Sequence, residues 1–83
     1  MANIEKLLEA ARNNPNNLNF GDFETLVRRF GFLHARTSGS HRIYKDAMGR
    51  LLNIQPRKDG KAKHYQVKEF LRLVEPQSNI PRE

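Results

Sequence analysis

The stretch Thr37-Ser38-Gly39-Ser40-His41-Arg42-Ile43-Tyr44-Lys45 constrains the fold of this chain more than any other. Ser38, Gly39 and Ser40 are turn residues, and Gly39 can take a positive φ without steric cost. Ile43 and Tyr44 favour strand. The segment therefore reads as a tight turn feeding directly into a strand. His41 stands at the mouth of that hairpin, on a rigid element but within reach of solvent.

The flanking segments extend the hairpin to a sheet. Phe32 to Thr37 is the expected first strand, with Leu33 and Ala35 on one face and His34 and Arg36 on the other. His41 to Lys45 is the second. Asp46, Ala47, Met48 and Gly49 turn the chain into a third, Arg50 to Gln55, with Leu52 and Ile54 sharing a face. Pro56 ends it. The spacing predicts a three-stranded antiparallel meander. Alternation in the second strand is imperfect; the preferred reading puts Tyr44 inward and His41 outward.

Helical periodicity brackets the sheet. Ile4, Leu7, Leu8 and Ala11 fall at i, i+3, i+4 and i+7, and Asn3 is positioned to cap, so Ala2 to Arg12 reads as a helix. Asn13 to Asn17, with Pro15, breaks it. Asn19 is the expected cap of a second helix, with Asp22 placed like a capping-box partner. Phe23, Leu26, Val27 and Phe30 form its apolar stripe, and Gly31 ends it. Val67, Phe70, Leu71 and Val74 mark a third helix over Tyr65 to Glu75, stopped by Pro76. Residues 76–83 read as a polar tail. The order without the first helix is α-β-β-β-α, the order of a double-stranded-RNA-binding domain, in which both helices cover one face of the sheet. The expected fold is thus α+β: one domain over residues 1–83, with residues 2–14 as an extra N-terminal helix.

Charge narrows the partners. Lys and Arg number 15 against 9 Asp and Glu, a formal net charge of +6. That balance favours polyanions, nucleic acid first. With 37% hydrophobic and 29% charged residues, the chain is globular rather than disordered. It has no apolar run long enough to span a bilayer and no signal-like start, so the cytoplasm is the expected compartment. Cysteine is absent, which excludes disulfides and thiolate metal sites. His34, His41 and His64 are scattered without ligand spacing, and Asp22, Glu24, Asp46 and Asp59 form no carboxylate cluster, so no metal site and no cofactor are expected. Ser38 and Ser40 lie near a histidine, but nothing marks an oxyanion hole.

A histidine can move a proton near neutral pH. RNA supplies its own nucleophile, the 2′-hydroxyl. Cleavage needs a base for that proton, an acid for the leaving 5′-oxygen, and positive charge on the phosphorane. His41 is the candidate acid or base; Arg36, Arg42 and Lys45 are candidates for charge stabilisation. Ser40 joins them as a candidate RNA contact. The loop Arg57-Lys58-Asp59-Gly60-Lys61-Ala62-Lys63 carries four cations against one carboxylate, and Arg57, Lys58, Lys61 and Lys63 suit a phosphate backbone.

Phe30-Gly31-Phe32, followed by Gly39-Ser40-His41-Arg42-Ile43-Tyr44-Lys45, resembles the HicA family of toxins from bacterial toxin–antitoxin pairs. Lys61-Ala62-Lys63-His64-Tyr65-Gln66-Val67-Lys68 is similar to the final-helix entry of its longer members. Asn3-Ile4-Glu5-Lys6-Leu7-Leu8 with Asn13-Asn14-Pro15 is similar to their extra helix. The resemblance implies a double-stranded-RNA-binding fold, cleavage of mRNA, inhibition of translation and neutralisation by a HicB-like antitoxin. It equates His41 with the catalytic histidine and Gly39 with the turn glycine. Many short relatives carry Pro-x-His after the third strand, where this chain has Gln55-Pro56-Arg57; if that second histidine helps catalysis in them, this chain must use something else, or nothing. Three readings follow: an mRNA-cleaving toxin acting through His41, a non-catalytic RNA-binding module of the same fold, and a protein whose charged face docks an acidic partner.

Overall fold

The computed structural model describes residues 3–74. Helix α1 spans Ile4–Asn13, a single 3-10 turn spans Pro15–Asn17, and α2 spans Phe20–Arg29. Strands β1 (Leu33–Ser38), β2 (His41–Lys45) and β3 (Leu51–Ile54) follow, then α3 (His64–Val74). The architecture is α+β, with one antiparallel sheet in the order β1-β2-β3. The expected Glu75 end of α3 and the tail at 76–83 lie outside the described residues.

The caps follow local chemistry. Asn3 Oδ1 accepts the Lys6 backbone N–H at 3.2 Å and starts α1. Gly31, at φ +94°, ends α2. Its N–H donates to the Arg28 carbonyl at 3.0 Å, and the Phe32 N–H reaches back to Val27 at 3.2 Å, a Schellman pair that satisfies two terminal carbonyls. Asn19 departs from expectation. It occupies the N-cap position of α2, but its side chain makes no capping bond. Its Oδ1 instead accepts from Lys61 Nζ at 3.2 Å.

One face of the sheet meets the helices. Tyr44, Leu52 and Ile54 join Phe23, Leu26, Val27, Val67 and Phe70 in a single buried core. Phe70 takes the edges or faces of Phe23, Phe30 and Phe32 at centroid distances of 5.8, 5.5 and 6.4 Å. Two expectations shift here. Phe20 is buried in the first turn of α2, while Phe30 is partly exposed at its end. Phe32 is fully buried and precedes β1 rather than opening it. Gln66, nearly buried on α3, accepts the Gln55 N–H at 2.9 Å and ties the helix to the end of β3.

The strands carry one irregularity that decides the site. The β1–β2 register runs Leu33 to Lys45 and His34 to Tyr44, then Arg36 to Ile43, Thr37 to Arg42 and Ser38 to His41. Ala35 is the extra residue of a β-bulge. His34 and Arg36 were expected on one face; the bulge resets the alternation and sends them to opposite faces. His34 and Thr37 thereby share the helix side, and Arg36 shares the open side with Ile43.

Candidate functional site

The β1–β2 hairpin closes through two residues, Gly39 and Ser40, because Ser38 pairs with His41. Gly39 lies at φ +62°, and no residue other than glycine has positive φ among those described. Positive φ at the first loop position alone is the type II′ pattern, which matches strand twist. The turn thus fixes the start of β2 and the backbone of His41.

His41, Ile43 and Lys45 point to the open face and Tyr44 to the core, as the alternation implied. An open depression of about 550 Å³ on that face is lined by Arg36, Thr37, Ser38, His41, Ile43 and Asn53. His41 Nδ1 lies 3.2 Å from Asn53 Oδ1. An amide oxygen only accepts, so in the neutral ring this contact places the proton on Nδ1 and leaves Nε2 as the acceptor. Asn53 sits on β3 opposite Ile43, diagonal to His41 on the same face. Nothing in the local sequence around His41 names it; only the antiparallel register brings it there.

The expected cations divide. Arg36 and Lys45 lie on the His41 face, with Ser40 exposed in the turn. Arg42 does not join them. It pairs with Thr37 and Ile54 on the helix side, and its Nη1 donates to Glu24 Oε2 at 2.8 Å. Its guanidinium also lies over the Phe20 ring, 5.0 Å from the centroid. Burying the pleat that carries Tyr44 requires Arg42 to face the same way, so α2 must supply a carboxylate.

The loop at 57–63 leaves β3 at the His41 end of the sheet, since Ile54 pairs with Arg42. It is pinned rather than free. Arg57 pairs with Asp59 and donates to the Asn16 carbonyl at 3.0 Å. The Phe20 and Ala62 N–H groups bond Gly60 and Leu18 carbonyls at 3.0 and 2.8 Å. Arg57 and Lys61 are therefore engaged inside the protein, while Lys58 is exposed and Lys63 half-buried. Hydrogen bonds from the Arg57 guanidinium, then from the Lys61 N–H, pull the Asp59 carboxyl down to about 2.

Glu24 Oε2 accepts a second bond, from the Tyr44 hydroxyl at 3.1 Å. Burial pushes the Tyr44 phenol up; the Arg28 guanidinium opposes this and Glu24 reinforces it. The phenol stays protonated and donates. Among the described residues, no group of three His, Cys, Asp or Glu side chains is placed to hold a metal ion, and no helix is long and apolar enough to cross a membrane. No known protein family, curated protein or solved structure matches this chain.

Proposed function

We propose that the protein is a metal-independent endoribonuclease that binds RNA on the open face of its sheet and uses His41 as the proton carrier. The observation that carries this reading is the His41–Asn53 contact at 3.2 Å, which leaves Nε2 as the acceptor of the neutral ring on an exposed face that Arg36 also lines, with Lys45 at the far end of β2. Nε2 takes the 2′-hydroxyl proton as that oxygen attacks phosphorus; the resulting imidazolium is then a donor for the leaving 5′-oxygen. Arg36 offsets the charge of the phosphorane, and Lys45, at the far end of β2, attracts the backbone. The α-β-β-β-α order with one bare sheet face fits a double-stranded-RNA-binding-like topology, and the HicA-like residues around His41 extend the reading to a toxin that cleaves mRNA and is held in check by a HicB-like antitoxin. Such an antitoxin would present carboxylates to Arg36 and Lys45 and cover His41.

The test is cleavage of single-stranded RNA in the presence of a chelator. His41→Ala should lower the rate by about 10²–10⁴-fold, the usual contribution of general acid–base catalysis, with stability changed by no more than about 0.5 kcal/mol. Undiminished cleavage by folded His41→Ala would remove His41 from the mechanism.

One observation favours a second reading, a non-catalytic RNA-binding module. Of the residues lining the open depression, His41 is the only histidine and none is a carboxylate, so no second acid–base group stands beside it there. RNA binding without cleavage by the unaltered protein would select that reading.

A further inference from the structure

On the helix side of the sheet, α2 and β1 enclose a crevice of about 200 Å³ lined by Glu24, Arg28, His34, Thr37, Arg42 and Tyr44. We propose that this crevice is a phosphodiester subsite, which seats a backbone phosphate of the same RNA strand whose neighbouring phosphate faces His41. The proposal rests on the RNA-binding reading and adds a second anchor on the opposite side of β1.

The lining favours an oxyanion. Arg28 and Arg42 bring two guanidinium groups, whose forked donors match phosphate oxygens. Glu24 is the one carboxylate, and a single oxygen of it already takes the Arg42 and Tyr44 donors at 2.8 and 3.1 Å. Glu24 thus offsets Arg42 and leaves Arg28 as the uncompensated charge of the lining. Arg28 stands exposed in the last turn of α2, with its guanidinium beside the Tyr44 hydroxyl and no carboxylate partner among the described residues. His34 adds a ring whose Nε2 lies 2.8 Å from Thr37 Oγ1, so the two side chains are held together in the lining.

The bulge at Ala35 builds this lining. A regular strand would place His34 with Arg36 and face Thr37 away from both. The extra residue puts His34 and Thr37 together on the crevice side.

Continuity with the His41 face argues for a strand rather than a free anion. β1 is an edge of the sheet, and among the described residues no strand pairs with its outer side. Thr37 lines both the crevice and the His41 depression. A strand crossing the β1 edge at Thr37 enters both. Phosphate contacts of this kind carry no sequence information but fix register; here they would hold the scissile phosphate against His41 Nε2.

The experiment uses the full chain carrying His41→Ala, so that RNA survives, isotope-labelled for NMR. A short single-stranded oligoribonucleotide, with and without a 5′-phosphate, and inorganic phosphate are titrated separately. The expected result is saturable shifts of the Arg28 and His34 side-chain signals and the Thr37 amide with both oligonucleotides alike, and a roughly tenfold loss of affinity in Arg28→Gln, the scale of one charge-assisted contact. Arg28 is exposed, and thermal unfolding checks that the variant is folded. Three results would overturn the proposal: no saturable shift, a response to inorganic phosphate or a 5′-terminal phosphate only, or equal affinity in Arg28→Gln. Cleavage by the unaltered protein is read separately, so a failed nuclease test with these shifts present leaves the subsite standing.

Discussion

Asn53 Oδ1 lies 3.2 Å from His41 Nδ1, between adjacent strands and on the face of the sheet that none of the described helices covers. In the neutral imidazole the contact assigns the proton to Nδ1 and leaves Nε2 as the acceptor. Asn53 acts through His41 and is a positioning residue.

Replacing Asn53 should change the chemistry more than the binding. Asn53→Leu is expected to lower kcat by about tenfold or more, with KM nearly unchanged, because RNA still meets Arg36 and Lys45. Nitrogen shifts of the His41 ring should move from one tautomer to a mixture. Asn53→Asp places a carboxylate on Nδ1, favours the imidazolium, and should move the rising limb of the pH–rate profile to higher pH. An unchanged tautomer ratio in Asn53→Leu would deny the contact its role.

Arg36 and Lys45 share the open face, whereas Arg57 and Lys61 are bonded within the protein. Replacing Arg36 and Lys45 with Gln should therefore weaken RNA binding and reduce the salt slope by about 0.7 per lost contact on a single strand. Lys58→Ala, an exposed side chain of the 57–63 loop, should act in the same direction. A slope identical in Arg36→Gln, Lys45→Gln and the unaltered protein would put RNA elsewhere.

Glu24 accepts from Arg42 and from the fully buried Tyr44. Glu24→Leu should destabilise the fold by about 1–3 kcal/mol, since it strands a buried hydroxyl and a half-buried guanidinium. Tyr44→Phe should cost less, about 0.5–1.5 kcal/mol. Denaturant unfolding of both variants and their double mutant measures the coupling. Strict additivity would mean that the two groups do not share the bond.

Two carboxylates predict the acid limb of stability. Hydrogen bonds from Arg57 hold Asp59 at about 2, below its ordinary 3.8. Burial pushes Asp46 up, but bonds from the Arg50 side chain and N–H and from the Met48 N–H outweigh it and leave it lowered. A carboxyl depressed in the folded state stabilises fully above its unfolded value and loses that stabilisation as pH falls through its folded value. The melting temperature should therefore fall between about pH 4 and pH 2. Asp59→Asn should flatten that fall; an equally steep limb would show that Asp59 does not contribute.

Local chemistry wrote much of this protein into its chain. Asn3, the apolar stripes of three helices, Gly31 and the Gly39-Ser40 turn each act over a few residues, so spacing alone located α1, α2, the hairpin and α3, and put Tyr44 in and His41 out. The bulge at Ala35 escaped because one inserted residue changes no composition and only shifts a period; whether a strand takes it up is decided by what its partner strand must bury. Alternation puts Arg42 on the Tyr44 side, opposite His41, but its partner there, Glu24, lies 18 residues away on α2. Asn53 reached His41 across the β2–β3 register, and Asn19 gave up its cap for Lys61 when the 57–63 loop closed over α2. Those partners are set by which elements adjoin in space, a property no short window of sequence contains.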